Sequence, residues 1–153
     1  NFRLTNIQSA VGVAQLEKIK ELMKNKKKLA LNYKKYLNKL KFISLPGEHG
    51  KVKNSYWLYT IRLKKNLINY RKKILQEMNL RKIEVRPIFF PMNMMPPYKK
   101  YFKKNEKFEV SKNLFESSIS LPSAYDVDEK KVLEVSKFLN SYINQISFKK
   151  KFL

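Results

Sequence analysis

Self-contained catalysis needs a nucleophile, an acid–base pair or a metal cage, and this chain supplies few candidates. It has no cysteine and one histidine, His49, which removes thiolate nucleophiles, thiolate zinc sites and histidine-rich metal centres. His49 stands in the loop-like run Leu45-Pro46-Gly47-Glu48-His49-Gly50, where an exposed, non-catalytic imidazole is the expected outcome. Acidic pairs such as Asp126 and Asp128 occur, and helix capping explains them better than general acid and base work. A Schiff-base lysine would need a desolvated ammonium with a depressed pKa, whereas the lysines here stand in polar contexts. No glycine-rich phosphate cradle and no Gly-x-Ser-x-Gly elbow occurs. The segment Tyr98-Lys99-Lys100-Tyr101-Phe102-Lys103-Lys104 combines rings with cations, as single-strand nucleic-acid binders do. No RNP-like strand or helix-turn-helix frames it, so the favoured reading is an edge loop whose rings pack inward.

Composition narrows the field further. The chain of 153 residues and 18.3 kDa is 43% hydrophobic, enough for one domain with a modest core. Its net charge of +22 invites an anionic partner. Yet only Arg3, Arg62, Arg71, Arg81 and Arg86 are arginine, the rest of the 34 basic residues being lysine, and arginine is the side chain that reads phosphates and guanines in two-pronged fashion. Lysine, Asn, Ile, Phe and Tyr abound while Gly numbers 3, the usage of an AT-rich genome, so most of the charge is expected to be solvated surface. No apolar run is long enough to span a bilayer, and Asn1-Phe2-Arg3-Leu4 does not read as a signal peptide. A reduced, cytoplasmic setting without a membrane partner is the expectation.

The elements that must position any site follow from periodicity. Thr5-Asn6-Ile7-Gln8 reads as a capping box. Ile7, Ala10, Val11 and Ala14 then share a helical face, continued by Leu16, Ile19, Met23, Ala30, Tyr33, Leu37 and Leu40. That spacing predicts a long helix over residues 1–40, with any break near Lys26-Lys27-Lys28. Tyr56 to Leu63 reads as a buried strand, Asn66 to Met78 as a helix capped by Asn66, and Ile83 to Arg86 as a short strand stopped by Pro87. Ile88 to Pro97 has no period and carries Pro91, Pro96 and Pro97; it is a loop whose apolar composition predicts that something covers it. Glu109 to Ser117 reads as a helix with Val110, Leu114 and Phe115 inward, and Ile119 to Leu121 as a strand ended by Pro122. Asp126-Val127-Asp128-Glu129 looks like a second capping box, opening a helix with Val132, Val135, Phe138, Leu139, Tyr142 and Ile143 inside. The order predicts an α/β (α+β) domain, a small and mostly antiparallel sheet covered by helices.

Four of these segments together resemble a known family. Residues 1–16, Asn-Phe-Arg-Leu-Thr-Asn-Ile-Gln-Ser-Ala-Val-Gly-Val-Ala-Gln-Leu, are similar to the opening signature of DegT/DnrJ/EryC1/StrS sugar aminotransferases. Ser55-Tyr56-Trp57-Leu58-Tyr59, then Ile83 to Pro91, then Ile119-Ser120-Leu121-Pro122-Ser123 follow in the family's order over residues 1 to about 145. The resemblance implies the C-terminal part of a fold-type I enzyme that uses pyridoxal 5'-phosphate to move an amino group from glutamate to a nucleotide-linked keto sugar. It also implies a homodimer, a Schiff-base lysine in an N-terminal domain upstream of this segment, and no activity for this chain alone. Within residues 1–147, residues 1–40 would be a linking helix and 41–147 a small sheet-and-helix unit, with 148–153 a frayed basic tail.

By the same resemblance, Asn1 matches the asparagine that reaches the cofactor phosphate of the neighbouring subunit. Arg3 matches an arginine near the substrate's phosphates. The loop from Arg86 through Asn93 to Tyr98 matches the segment that meets the sugar nucleotide across the dimer. Asn93 stands where many members carry histidine, and Pro91-Met92-Asn93-Met94-Met95-Pro96-Pro97-Tyr98 is similar to the GDP-perosamine-synthase-like branch. For Arg86, a structural salt bridge at a strand end is as good a reading as substrate contact. Trp57 and Tyr59 read as core. A small basic nucleic-acid-binding module and an inactive truncated relative are the alternatives.

Overall fold

A computed structural model describes residues 3–48, 50–103 and 106–149, the side chains of 148 and 149 excepted. His49 and Asn1 therefore lie outside the described residues, as do Lys104 and residues 150–153 of the basic tail. The chain forms helices α1 (Asn6–Glu17), α2 (Ile19–Leu37), α3 (Arg71–Leu80), α4 (Glu109–Ser117) and α5 (Glu129–Lys149) and strands β1 (Ile43–Ser44), β2 (Tyr59–Leu63), β3 (Arg86–Pro87) and β4 (Ser118–Leu121). The strands form one antiparallel sheet in the order β1-β2-β4-β3, the α+β arrangement that the sequence predicts. Tyr59 faces Leu121 and Ile61 faces Ile119 in register, while Ile43 pairs with Leu63.

The core follows from two periods meeting. Alternate residues Tyr59, Ile61 and Leu63 of β2 are buried with Ile119 and Leu121 of β4, the half-buried pattern of a pleated strand. Against them lie Leu29, Ala30, Tyr33 and Leu37 of α2, Ile74 and Met78 of α3, and Val132, Val135, Leu139 and Ile143 of α5, each set at helical spacing. Tyr33 stacks on Tyr59 with ring centroids 4.6 Å apart, and its hydroxyl donates to the Pro122 carbonyl at 2.8 Å. Burial pushes both phenols well above their usual pKa, with a smaller upward push on Tyr33 from the Tyr59 phenol and on Tyr59 from the Tyr56 phenol.

Several expectations need correction. The first helix breaks at Lys18, not at the lysine run, which lies inside α2; lysine is a good helix former, and Lys27 and Lys28 point into solvent where their charges are screened. The Thr5–Gln8 capping box forms as read, with both reciprocal hydrogen bonds present. The face of α1 behind it, however, buries nothing: Ile7 is 79% exposed, and Val11 and Leu16 are exposed as well. Asn66 caps no helix; Lys65–Tyr70 winds as a 3-10 helix into α3, whose first turn lacks a side-chain cap. The buried strand expected from Tyr56 begins only at Tyr59, and the strand expected over Ile83 to Arg86 reduces to β3, Arg86–Pro87, so Pro87 does not stop it but belongs to it. In α4, Val110 is 75% exposed and Leu114 exposed too, leaving Phe115 half-buried. Asp128 alone starts α5, its Oδ1 accepting from the Lys131 amide at 2.8 Å, so the proposed box beginning at Asp126 does not form. α5 runs on to Lys149, so two residues assigned to the tail are helical.

Candidate functional site

The sheet's β3 edge and the ends of its two longest strands enclose a cleft of about 930 Å3. Its walls combine Trp57 and Phe89 with the cations Lys26, Lys82, Arg86 and Lys131 and the carboxylates Glu84, Asp126 and Asp128. Lys82 is placed by the turn that ends α3. There the Ile83 amide donates to the Met78 carbonyl at 3.0 Å and the Lys82 amide to Asn79 at 2.9 Å, the reciprocal pair of a Schellman motif. Lys82 takes the left-handed position of that motif at φ 58°, where glycine is usual. The turn swings the chain into Ile83 and Val85, both buried, and leaves Glu84 and Arg86 exposed between and beyond them.

Arg86 pairs with Glu84, Nε lying 3.1 Å from Oε1. Both side chains are open to water, so the pair contributes little to stability, and Arg86 remains available to the cleft. Downstream, Phe89 stacks on Trp57 at 6.2 Å between centroids. Phe90 packs edge-on against Phe115 at 5.0 Å, and the Arg71 guanidinium covers the Phe115 ring at 4.9 Å. Arg71 Nε donates to the Ser118 carbonyl at 2.9 Å, while one of its terminal nitrogens is buried without a hydrogen-bonding partner among the described residues. Burial lowers its pKa and the Glu116 carboxylate opposes the shift. Thus Phe90 helps to anchor a half-exposed loop, which then coils through two 3-10 turns, Met92–Met94 and Pro96–Tyr101.

The residues singled out from sequence do not all converge. Arg86 lines the cleft, whereas Arg3, Asn93 and Tyr98 lie outside its walls. Arg3 is exposed ahead of α1, and among the described residues it has no hydrogen-bonding partner. Asn93 is half-buried in the first 3-10 turn and Tyr98 is exposed in the second. Contrary to an inward-packed edge loop, Tyr101 is 72% exposed beneath the Lys100 ammonium, and only Phe102 turns in, against Phe108 at 5.2 Å. Trp57 is 66% exposed and Tyr59 buried, so of the two only Tyr59 belongs to the core.

Lys26 and Ser123 were not legible as site residues. Lys26 Nζ donates to the carbonyls of Trp57, at 3.0 Å, and of Ser123. Burial lowers its pKa. The Ser123 hydroxyl donates to the Leu121 carbonyl at 3.1 Å and accepts from the Tyr59 amide at 3.2 Å. Nothing in the sequence marks Lys26 among its many lysines; Ser123 was visible only as the end of the Ile119–Ser123 motif. Among the described residues no cluster of potential metal ligands exists, and no helix is long and apolar enough to cross a membrane. A cleft with an aromatic wall and a rim of mixed charge, where Lys82, Arg86 and Lys131 stand beside Glu84, Asp126 and Asp128, suits a polar ligand with an apolar or ring-bearing part, its anionic groups meeting the cations.

Comparison with known proteins places the chain in a family. The chain is 30% identical over 142 residues to a GDP-perosamine synthase of Escherichia coli O157:H7, covering 93% of this chain and 37% of that protein. It is 31% identical over 146 residues to the GDP-perosamine synthase of Vibrio cholerae, covering 95% and 39%. Among solved structures, Helicobacter pylori PseC, an aminotransferase involved in the biosynthesis of pseudaminic acid, superimposes with a TM-score of 0.80 at 26% identity, over 90% of this chain and 37% of its own. The chain therefore spans well under half the length of the relatives it matches. The family model of the DegT/DnrJ/EryC1/StrS aminotransferases matches residues 1–140, and the chain belongs to that family.

Proposed function

We propose that this chain supplies the substrate-facing part of a pyridoxal-phosphate-dependent aminotransferase that carries an amino group from glutamate to a keto sugar on a nucleotide. The observation that carries the reading is the segment from Arg86 to Tyr101. In a chain of this family, it presents exposed aromatic and proline residues beside a cleft that carries Lys82, Arg86 and Lys131, and it is tied to the body by the β3–β4 pairing and by Phe90 on Phe115. Such a surface suits a partner that brings both a ring and phosphates. Arg86 and Tyr98, with Asn93 between them, would meet the sugar nucleotide bound at the partner subunit of a homodimer. Arg3 would hold its phosphates, and Asn1 the cofactor phosphate.

The described residues fit the anionic ends of such ligands and not a covalent cofactor lysine. Lys26 is the lysine that burial brings towards the free amine, and its Nζ is committed to two carbonyls. The condensing lysine would thus lie in the part of the relatives that this chain does not span, leaving the 153 residues inactive by themselves in the cytoplasm. When bound, pyridoxal phosphate supplies the electron sink for amino transfer; the residues here bind and orient.

In the complete enzyme, Arg3→Ala should raise KM for the sugar nucleotide roughly tenfold, the worth of one charge-assisted phosphate contact, with cofactor absorbance unchanged. Borohydride reduction should leave the pyridoxyl label on a lysine outside this chain. Unchanged KM would remove Arg3 from the site, and a label within these residues would overturn the division of labour.

A further inference from the structure

We propose that Lys26 is a positioning residue that sets the aromatic wall of the cleft by clamping two main-chain carbonyls. The strands β2 and β4 are paired as far as Tyr59 and Leu121; beyond that pair the chain on each side leaves the sheet. Trp57 lies two residues before β2 and Ser123 two residues after β4. The Lys26 ammonium, arriving from α2, donates to both of their carbonyls. It closes the splayed end of the sheet with charge-assisted hydrogen bonds, stronger than neutral ones.

The wall needs such a clamp because burial does not hold it. The Trp57 ring is two-thirds exposed, and its one recorded stacking partner, Phe89, is itself exposed. The backbone just before it is strained: Tyr56 sits at φ 51°, the left-handed region that costs a non-glycine residue on the order of 1 kcal/mol. Surroundings must over-determine such a conformation for it to persist. The Asn54 side chain accepts from the Tyr56 amide at 2.8 Å on one side, and Lys26 fixes the Trp57 carbonyl on the other. The inference rests on the aminotransferase reading only in treating the cleft as ligand-facing, and its test needs no ligand.

The test reads Trp57 directly. The protein is labelled with 5-fluorotryptophan, and the Trp57 resonance is assigned by its disappearance in Trp57→Phe. Lys26→Met keeps the aliphatic stem and loses both donors; the Trp57 fluorine signal should shift towards that of the free amino acid. Lys26→Arg, which restores charged donors, should bring the signal back, and Lys35→Met, on the same helix but paired with Glu129, should leave it in place. An unmoved signal in Lys26→Met, or equal shifts in the Met and Arg variants, would overturn the proposal, the second by showing that packing of the stem decides. Where Lys26→Met does not fold, Lys26→Leu, which likewise has no donor, takes its place with the same two outcomes.

Discussion

At the scale of single residues, the clearest strain is at Lys82. A lysine in the left-handed position of the α3 turn carries a steric cost that glycine avoids, while the motif's apolar partners Met78 and Ile83 are already buried in place. Lys82→Gly should therefore stabilise the fold by about 1 kcal/mol, checked by urea denaturation; a loss of stability would mean that the lysine stem packs on the cleft wall more than its backbone strains. Residue roles were legible from sequence where local geometry alone sets them. Thr5 and Gln8 cap each other as read, because both partners lie within one helical turn. Trp57, Val110 and Leu114 were misread as inward, because an apolar side chain says that it wants cover and not which part of the protein provides it. Lys26 was missed for the opposite reason: its carbonyl partners are 31 and 97 residues away, a juxtaposition that only the folded chain creates.

Among the elements, α1 stands apart. Every described residue from Arg3 to Lys20 is exposed, so no tertiary packing supports this helix and its end groups carry unusual weight. Removing the cap with Thr5→Ala should cost α1 about 1 kcal/mol, seen as loss of helical chemical shifts over residues 6–17 by NMR while the melting temperature of the body stays unchanged. A fall in that temperature would show that α1 is coupled to the core after all. The order of the main helices and strands was readable, and α4 spans the predicted residues, while the inward positions of α5 other than Phe138 and Tyr142 are buried; β1 gave no signal, and β2, α3 and β3 each begin three to five residues later than predicted. Boundaries failed where a local signal was outvoted. The lysine run looked like a breaker, but its stems leave the α2 backbone unhindered, and the bend came at Lys18 instead. The candidate site was legible as motifs and not as a place, since Arg86 alone of its described members lines the cleft.

For the molecule as a whole, packing is sharply uneven. The core joins α2, α3, α5 and the sheet, while α1, the Arg86–Tyr101 segment and one side of α4 keep apolar side chains in water. One consequence concerns time. A helix held by nothing but its own hydrogen bonds opens at the rate of an isolated helix, however stable the body beneath it. Amide hydrogen exchange along this chain should consequently show a gradient: residues of α1 should exchange orders of magnitude faster than the buried turn around Tyr33, with protection climbing through α2 from about Leu22. Uniform slow exchange across both helices would mean that, in solution, another surface lies over α1 and shares its lifetime with it.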